Sequence, residues 1–252
     1  DKNHVIWVWF DALVNYLTFG LQVNSWDADT EIVHFLGKDN ARMHALLWPC
    51  MLKSAGYEIP DHIYINAFLS LNGKKISKSL GNVVAPKDLV EKYGVDPVRY
   101  YFLRYGPIVE DSDFSETHFQ TVYNADLANG LGNTVARLAK LAEKSGFSFA
   151  FDIENNSILS TELAQYFDVF RVDLALQHIW SKLSDLDKKI NEEEPWSIKD
   201  SEKLKEVLQS EIEDLILVAK LCKPFMPETS EKIIGVFKKE KITAIGGLFP
   251  RI

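Results

Sequence analysis

The sequence predicts an α/β segment followed by an all-α segment: half of a parallel sheet, then a helical bundle. Three observations predict it. Over the first seventy residues, short apolar strand-like runs alternate with a helical stretch through short links, the pattern of a parallel α/β sheet. Near Pro86 that pattern stops. From Ser115 onward apolar residues recur at helical spacing, as in Leu163, Phe167, Phe170, Leu174, Ile179, Leu183 and Leu186.

The elements follow in order. Residues 4–10 (His-Val-Ile-Trp-Val-Trp-Phe) form an apolar run predicted as a strand buried on both faces. Glu31 to Leu36 reads as a second strand, followed by Gly37 and a helix over about Asn40–Ser54. His62 to Ala67 reads as a third strand, with a Gly-Lys-Lys loop after it. A strand as apolar as the first needs neighbours on both sides, and the chain begins at Asp1 with no Met, so the rest of the sheet is expected upstream. Short helices over Pro86–Tyr93 and Pro97–Tyr105 lead to an acidic loop, Glu110-Asp111-Ser112-Asp113. Ser115 is placed to cap a helix reaching about Lys144. Further helices are predicted over about 160–190, 201–221 and 228–237.

Bulk properties narrow the function classes. The chain has 252 residues, 46% of them hydrophobic, enough for two cores. It shows neither an 18-residue apolar run nor a signal-peptide pattern, so a cytoplasmic protein is expected. Cys50 and Cys222 sit in apolar stretches without a C-x-x-C pair, reading as buried reduced thiols with no metal site. A net charge of −8 disfavours nucleic-acid binding by bulk electrostatics, yet leaves room for local basic strips such as Lys74, Lys75 and Lys78.

The sharpest local signal is Lys75-Ile76-Ser77-Lys78-Ser79, just after a strand. Ammonium groups three residues apart, with two hydroxyls on a small-residue loop, suit the charge that develops when pyrophosphate leaves a nucleotide. Asn133 and Arg137 stand four residues apart, so an amide and a guanidinium share one helix face and could reach the edges of exposed bases. Pro195 interrupts the helical pattern and leaves Trp196 at a junction.

Lys75-Ile76-Ser77-Lys78-Ser79 resembles the Lys-Met-Ser-Lys-Ser signature of class I aminoacyl-tRNA synthetases, with Ile76 in place of Met. Three further segments resemble the methionine-specific family in particular. They are Val8-Trp9-Phe10-Asp11-Ala12-Leu13-Val14-Asn15-Tyr16, the stretch Phe35-Leu36-Gly37-Lys38-Asp39 through His44, and Asn124 through Arg137. The resemblance implies that residues 1–115 are the second half of a Rossmann-like catalytic domain with the lysine loop and a stem-contact region. Residues 116–252 would be the helical anticodon-binding domain. It implies that Trp9 and Tyr16 line a methionine pocket, with His44 supporting the tyrosine hydroxyl. Aromatic contact and one hydroxyl are apt for a polarizable thioether. It further implies ATP binding by Gly37, Asp39, Lys75, Ser77 and Lys78, catalysis by Lys75 and Lys78, and anticodon reading by Asn133, Arg137 and Trp196. Mg²⁺ would arrive with ATP, and tRNA(Met) would be the partner. Asn40 and Met43 depart from the family, which usually has an aliphatic and an aromatic residue there.

The family's His-x-Gly-His element and zinc-binding insert are not found in the sequence, so this chain by itself is expected not to form the adenylate. Two alternatives stand beside this reading: a non-catalytic tRNA-binding relative, and a class I synthetase for another apolar amino acid.

Overall fold

The computed structural model describes residues 3–5, 7–76, 84–151, 153 and 157–252, with the backbone but not the side chains of 157–161. The chain divides into two compact units. Unit 1 comprises residues 1–68 and 107–112, and unit 2 comprises residues 69–106 and 113–252.

In unit 1 the order is α1 (Val8–Gln22), β1 (Val33–Gly37), a 3-10 turn (Lys38–Asn40), a wide π-type turn (Met43–Leu47), α2 (Trp48–Ala55) and β2 (His62–Asn66). Strands β1 and β2 are parallel, in register from Val33 opposite His62 to Gly37 opposite Asn66. Among the described residues of 4–10 the expected strand does not form, because α1 begins at Val8. A short apolar run does not distinguish strand from helix, and the apolar pattern here continues to Leu21. Trp9, Leu13 and Leu17, at four-residue intervals, pack with Trp26, Ile32, Trp48 and Leu52 to form the small core of this unit. Two anchors close it: the Trp26 indole N–H donates to the Glu58 carbonyl (3.0 Å), and the Ile32 amide donates to Asp61 (2.8 Å).

In unit 2 a three-stranded sheet runs in the order β4 (Lys74–Lys75), β3 (Leu69–Leu71), β5 (Ser112–Phe114). The helices are α3 (Pro86–Tyr93), α4 (Val95–Tyr105), α5 (Glu116–Val122), α6 (Asn133–Ser145), α7 (Ser157–Phe167), α8 (Val172–Glu193), α9 (Ser201–Cys222) and α10 (Pro227–Phe237). Ser115 caps α5 by accepting from the His118 amide (3.2 Å), and Asp200 caps α9 by accepting from the Lys203 amide (2.9 Å). The helix expected from Ser115 to about Lys144 forms as one continuous helical run of α5, a π-type segment (Tyr123–Gly132) and α6. The helix expected over 160–190 is two, broken where Phe170 takes a left-handed backbone (φ 53°). Apolar spacing carried through that turn and concealed it. The acidic loop before Ser115 contains β5.

Segments with no role assigned from sequence are fastenings. Buried Asp96 accepts from the Thr229 amide (2.6 Å) in the first turn of α10, where a carboxylate complements the helix terminus. Arg99 donates to the carbonyls of Phe225 (2.8 Å) and Pro224 (2.9 Å), tying α4 to the turn between α9 and α10. The Asn124 side chain pairs with the backbone of Ile252 through both amide atoms. Asp126 accepts from the hydroxyls of Tyr100 (2.7 Å) and Tyr105 (2.9 Å); burial, then the Asp126 charge, raises both phenols above their ordinary range. Tyr100 also stacks on Trp180, with ring centroids 4.3 Å apart.

Cys222 is buried, and burial pushes its thiol up to about 12. Cys50, expected to be buried, is exposed, because it faces away from the side of α2 that carries Trp48 and Leu52. Among the described residues no helix is long and apolar enough to cross a membrane.

Candidate functional site

Tyr16, His44 and Trp9 come together in unit 1. The Tyr16 hydroxyl lies 3.0 Å from His44 Nε2, and His44 Nδ1 lies 3.0 Å from the Asn40 carbonyl. A carbonyl oxygen only accepts, so Nδ1 carries a proton; in the singly protonated ring Nε2 then accepts from Tyr16. In that state the tyrosine oxygen presents lone pairs to its surroundings. Trp9 meets the His44 ring edge-on at 6.0 Å, and Trp48 lies 6.2 Å from Tyr16. Tyr16 is 41% exposed, so this side chain is only partly enclosed by the aromatic nest.

Sequence reasoning missed His34. It lies on β1, its ring 4.5 Å from Tyr16 and 6.1 Å from His44. Burial first, then His44, lowers its pKa, and its Nε2 is sealed without a hydrogen-bond partner among the described residues. The available signal was period two: His34 and Leu36 alternate inward along β1.

Gly37 ends β1 and Asp39 lies two residues on, in the 3-10 turn. A Cβ at Gly37 would stand 2.9 Å from an Asp39 carboxylate oxygen, so a larger residue there would make that flexible side chain shift. Asp39 is exposed. Its neighbour Lys38 is held by Asp111 (3.3 Å), which also accepts from the Phe68 amide (2.9 Å). The Phe68 amide, then Lys38, keeps the Asp111 carboxyl below the ordinary carboxylate range.

Lys75 belongs to β4 of unit 2. Ser77 and Lys78 lie outside the described residues. Asn72 (φ 51°) and Gly73 (φ 71°) both adopt left-handed backbone, which makes the two-residue turn between β3 and β4 a type I′ hairpin. The Gly73 amide (2.8 Å) and the Ser70 hydroxyl (2.5 Å) donate to one oxygen of Asp113, and those two bonds depress its pKa, Ser70 first.

Arg137 and Trp196 also meet in unit 2, with the guanidinium carbon 4.6 Å from the indole ring centroid. Arg137 donates to the Asn191 side-chain oxygen (2.9 Å). Asn133, exposed, stands one turn before Arg137 at the start of α6. Helix α8 stops at Glu194, which is left-handed (φ 45°), ahead of Pro195, and Trp196 is left half-exposed.

Beside this group lies Glu211 on α9, fully buried, with neither carboxylate oxygen partnered among the described residues. Burial, then Glu193, pushes it up to about 7, while Lys189 and Arg137 pull the other way. The unfolded carboxyl titrates near 4.5, so the folded chain holds an extra proton between that pH and about 7. Stability therefore declines as pH rises through this window and then levels, by on the order of 3 kcal/mol. Glu211→Met is expected to remove that decline. Urea unfolding at pH 4.5 and pH 8 checks it: the same gap between variant and parent at both pH values would refute the assignment.

With this geometry in view, comparison with known proteins defines the class. Residues 1–139 match the family model described as tRNA synthetases class I (M). The chain belongs to that family. It is 38% identical over 252 residues to the methionine–tRNA ligase of Fusobacterium nucleatum, covering 92% of this chain and 40% of that protein. The methionine–tRNA ligase of a Nostoc species is 36% identical, covering 92% and 48%. Among solved structures, Mycobacterium tuberculosis methionyl-tRNA synthetase in complex with methionyl-adenylate aligns with a TM-score of 0.83 and 32% identity, over 98% of this chain and 56% of that one. The chain thus spans about half or less of the length of the relatives it matches. These matches agree with the expected fold class, half of a Rossmann-like catalytic domain and a helical domain.

Proposed function

We propose that this chain supplies part of the methionine and ATP sites, the lysine loop and the anticodon reader of a methionine–tRNA ligase. The observation that carries the reading is the Asn40–His44–Tyr16 hydrogen-bonded series inside a nest of aromatic rings, formed by the residues the family resemblance singled out. In the reaction a methionine carboxylate oxygen attacks the α-phosphorus of ATP, breaking the bond to pyrophosphate. A hydroxyl of the terminal tRNA ribose then attacks the carbonyl carbon, and AMP leaves. Trp9, Tyr16 and His44 hold the amino acid; Gly37 and Asp39 lie on the ribose side. Lys75, Ser77 and Lys78 bind the ATP phosphates, with Lys75 and Lys78 countering the charge that grows as pyrophosphate departs.

Asn133, Arg137 and Trp196 read the anticodon. On this reading residues 1–115 belong to the catalytic domain and 116–252 to the anticodon-binding domain, in the cytoplasm. Among the described residues no group of metal-ligating side chains forms, and Mg²⁺ would enter on the ATP phosphates.

The reading also requires an upstream half of the catalytic domain. Unit 1 supports this, because Trp7, Phe10, Phe19, Phe35 and Leu46 are exposed and an open apolar groove of about 480 Å³ runs past Phe10, Val14, Leu17 and Met51. Bare apolar surface on this scale marks an interaction site. The 252-residue chain is therefore expected to show no methionine-dependent exchange of pyrophosphate into ATP, and to gain it when joined to an upstream segment carrying His-x-Gly-His. Exchange by the chain without that segment would refute the requirement; none with it would refute the function.

A further inference from the structure

We propose that Asp113 is a positioning residue for Lys75, fastening the β3–β4 turn that immediately precedes the lysine-bearing segment. The assignment rests on the reading of Lys75 as a phosphate-side residue. It stands on the way the turn is held. Strand β4 is two residues long, and a hairpin that short has little stability of its own in water. Its tip is held from the neighbouring segment instead. The Gly73 amide and the Ser70 hydroxyl converge on one Asp113 oxygen, and the Asn72 amide donates to the Phe114 carbonyl (3.0 Å).

Three donors from the hairpin are thus taken up by two consecutive residues of β5. Two of the bonds end on a carboxylate and are strengthened by its charge. Ser70 stands directly opposite Lys75 in the antiparallel pair, so their side chains share one face of the sheet. The carboxylate bond therefore acts on Lys75's own cross-strand partner and on the turn one residue before β4. The left-handed backbone at Asn72 and Gly73 fixes the handedness of the hairpin, and Asp113 locks it there. Misplacing a reacting group by about 1 Å can cost on the order of 100-fold in rate, so a lysine countering charge on a leaving pyrophosphate needs such an anchor.

The test uses Asp113→Ala, Asp113→Asn and Ser70→Ala in the polypeptide that joins this chain to its upstream half. Asp113→Ala is expected to lower the turnover of methionine-dependent ATP–pyrophosphate exchange by about 10- to 100-fold. The methionine KM and the rate of transfer from preformed methionyl-adenylate should stay within about twofold. Asp113→Asn, which keeps one accepting oxygen, and Ser70→Ala, which removes one donor, should fall between. A purely structural role would instead move methionine KM, transfer and melting temperature together, and that result would overturn the assignment. If Asp113→Ala fails to fold, Ser70→Ala decides: unchanged turnover in that variant overturns the proposal, and reduced turnover upholds it. An unsubstituted protein without exchange activity would overturn the functional reading and this assignment with it. Active parent and equally active Asp113→Ala would overturn the assignment of Asp113 and leave the reading standing.

Discussion

Trp196→Ala is expected to weaken binding of a methionine anticodon stem-loop by about 1–3 kcal/mol, roughly 5- to 150-fold, the usual value of one base stacked on an aromatic ring. Three features of the free chain make the indole a ready platform. Pro195 and the left-handed Glu194 end α8 just before it, Arg137 lies over its ring, and half of its surface is open. Asn191 holds the guanidinium by a hydrogen bond, so on the proposed reading the platform is arranged in the free chain and little ordering is left for RNA binding to offset. Trp196→Phe, which keeps an aromatic face, should lose less than Trp196→Ala. Titration of a labelled stem-loop checks both variants. Equal affinity of the parent chain for unrelated anticodon loops would count against the reading, as would an unchanged dissociation constant in Trp196→Ala.

The second large effect belongs to the lysine loop. Lys78→Ala, in the polypeptide that includes the upstream half, is expected to slow adenylate formation by about 100- to 1,000-fold, the range seen when one preorganised charge-stabilising group is removed. The KM for methionine should change little, because on the proposed reading the ammonium acts on phosphates, most strongly as charge develops on the leaving pyrophosphate. Burst measurements of methionyl-adenylate separate the chemical step from product release. A variant that forms adenylate at the parental rate would remove Lys78 from the catalytic set.

How much of this was legible beforehand depends on how far apart in sequence the cooperating residues are. The lysine motif is local, and its residue types state their chemistry. The Asn133–Arg137 face follows from one turn of helix. Arg137 and Asn191 sit 54 residues apart, and nothing in either segment announces the other. Glu211 was invisible for a different reason: a glutamate in a long helix reads as a solvated position, and only the packing of neighbouring helices removes it from water. His34 sits in a strand that was recognised, yet its inward direction depends on register.

The first element shows the opposite failure. Residues 4–10 are apolar enough for a buried strand, yet Val8–Phe10 open α1, whose course is set by the longer apolar run through Leu21 and by what Leu13 packs against. The turn after α9 is held by Arg99 and the first turn of α10 by Asp96, both more than 120 residues earlier.

The Asn40 carbonyl that receives His44 belongs to the backbone, and every amino acid offers the same oxygen. The identity of the side chain at position 40 is therefore decoupled from the proton arrangement of the imidazole. An asparagine can replace the usual aliphatic residue without reversing which ring nitrogen bears hydrogen. Met43, partly buried against the small core, substitutes flexible bulk for a flat ring in a similar way. Neither side chain takes part in the polar series behind Tyr16.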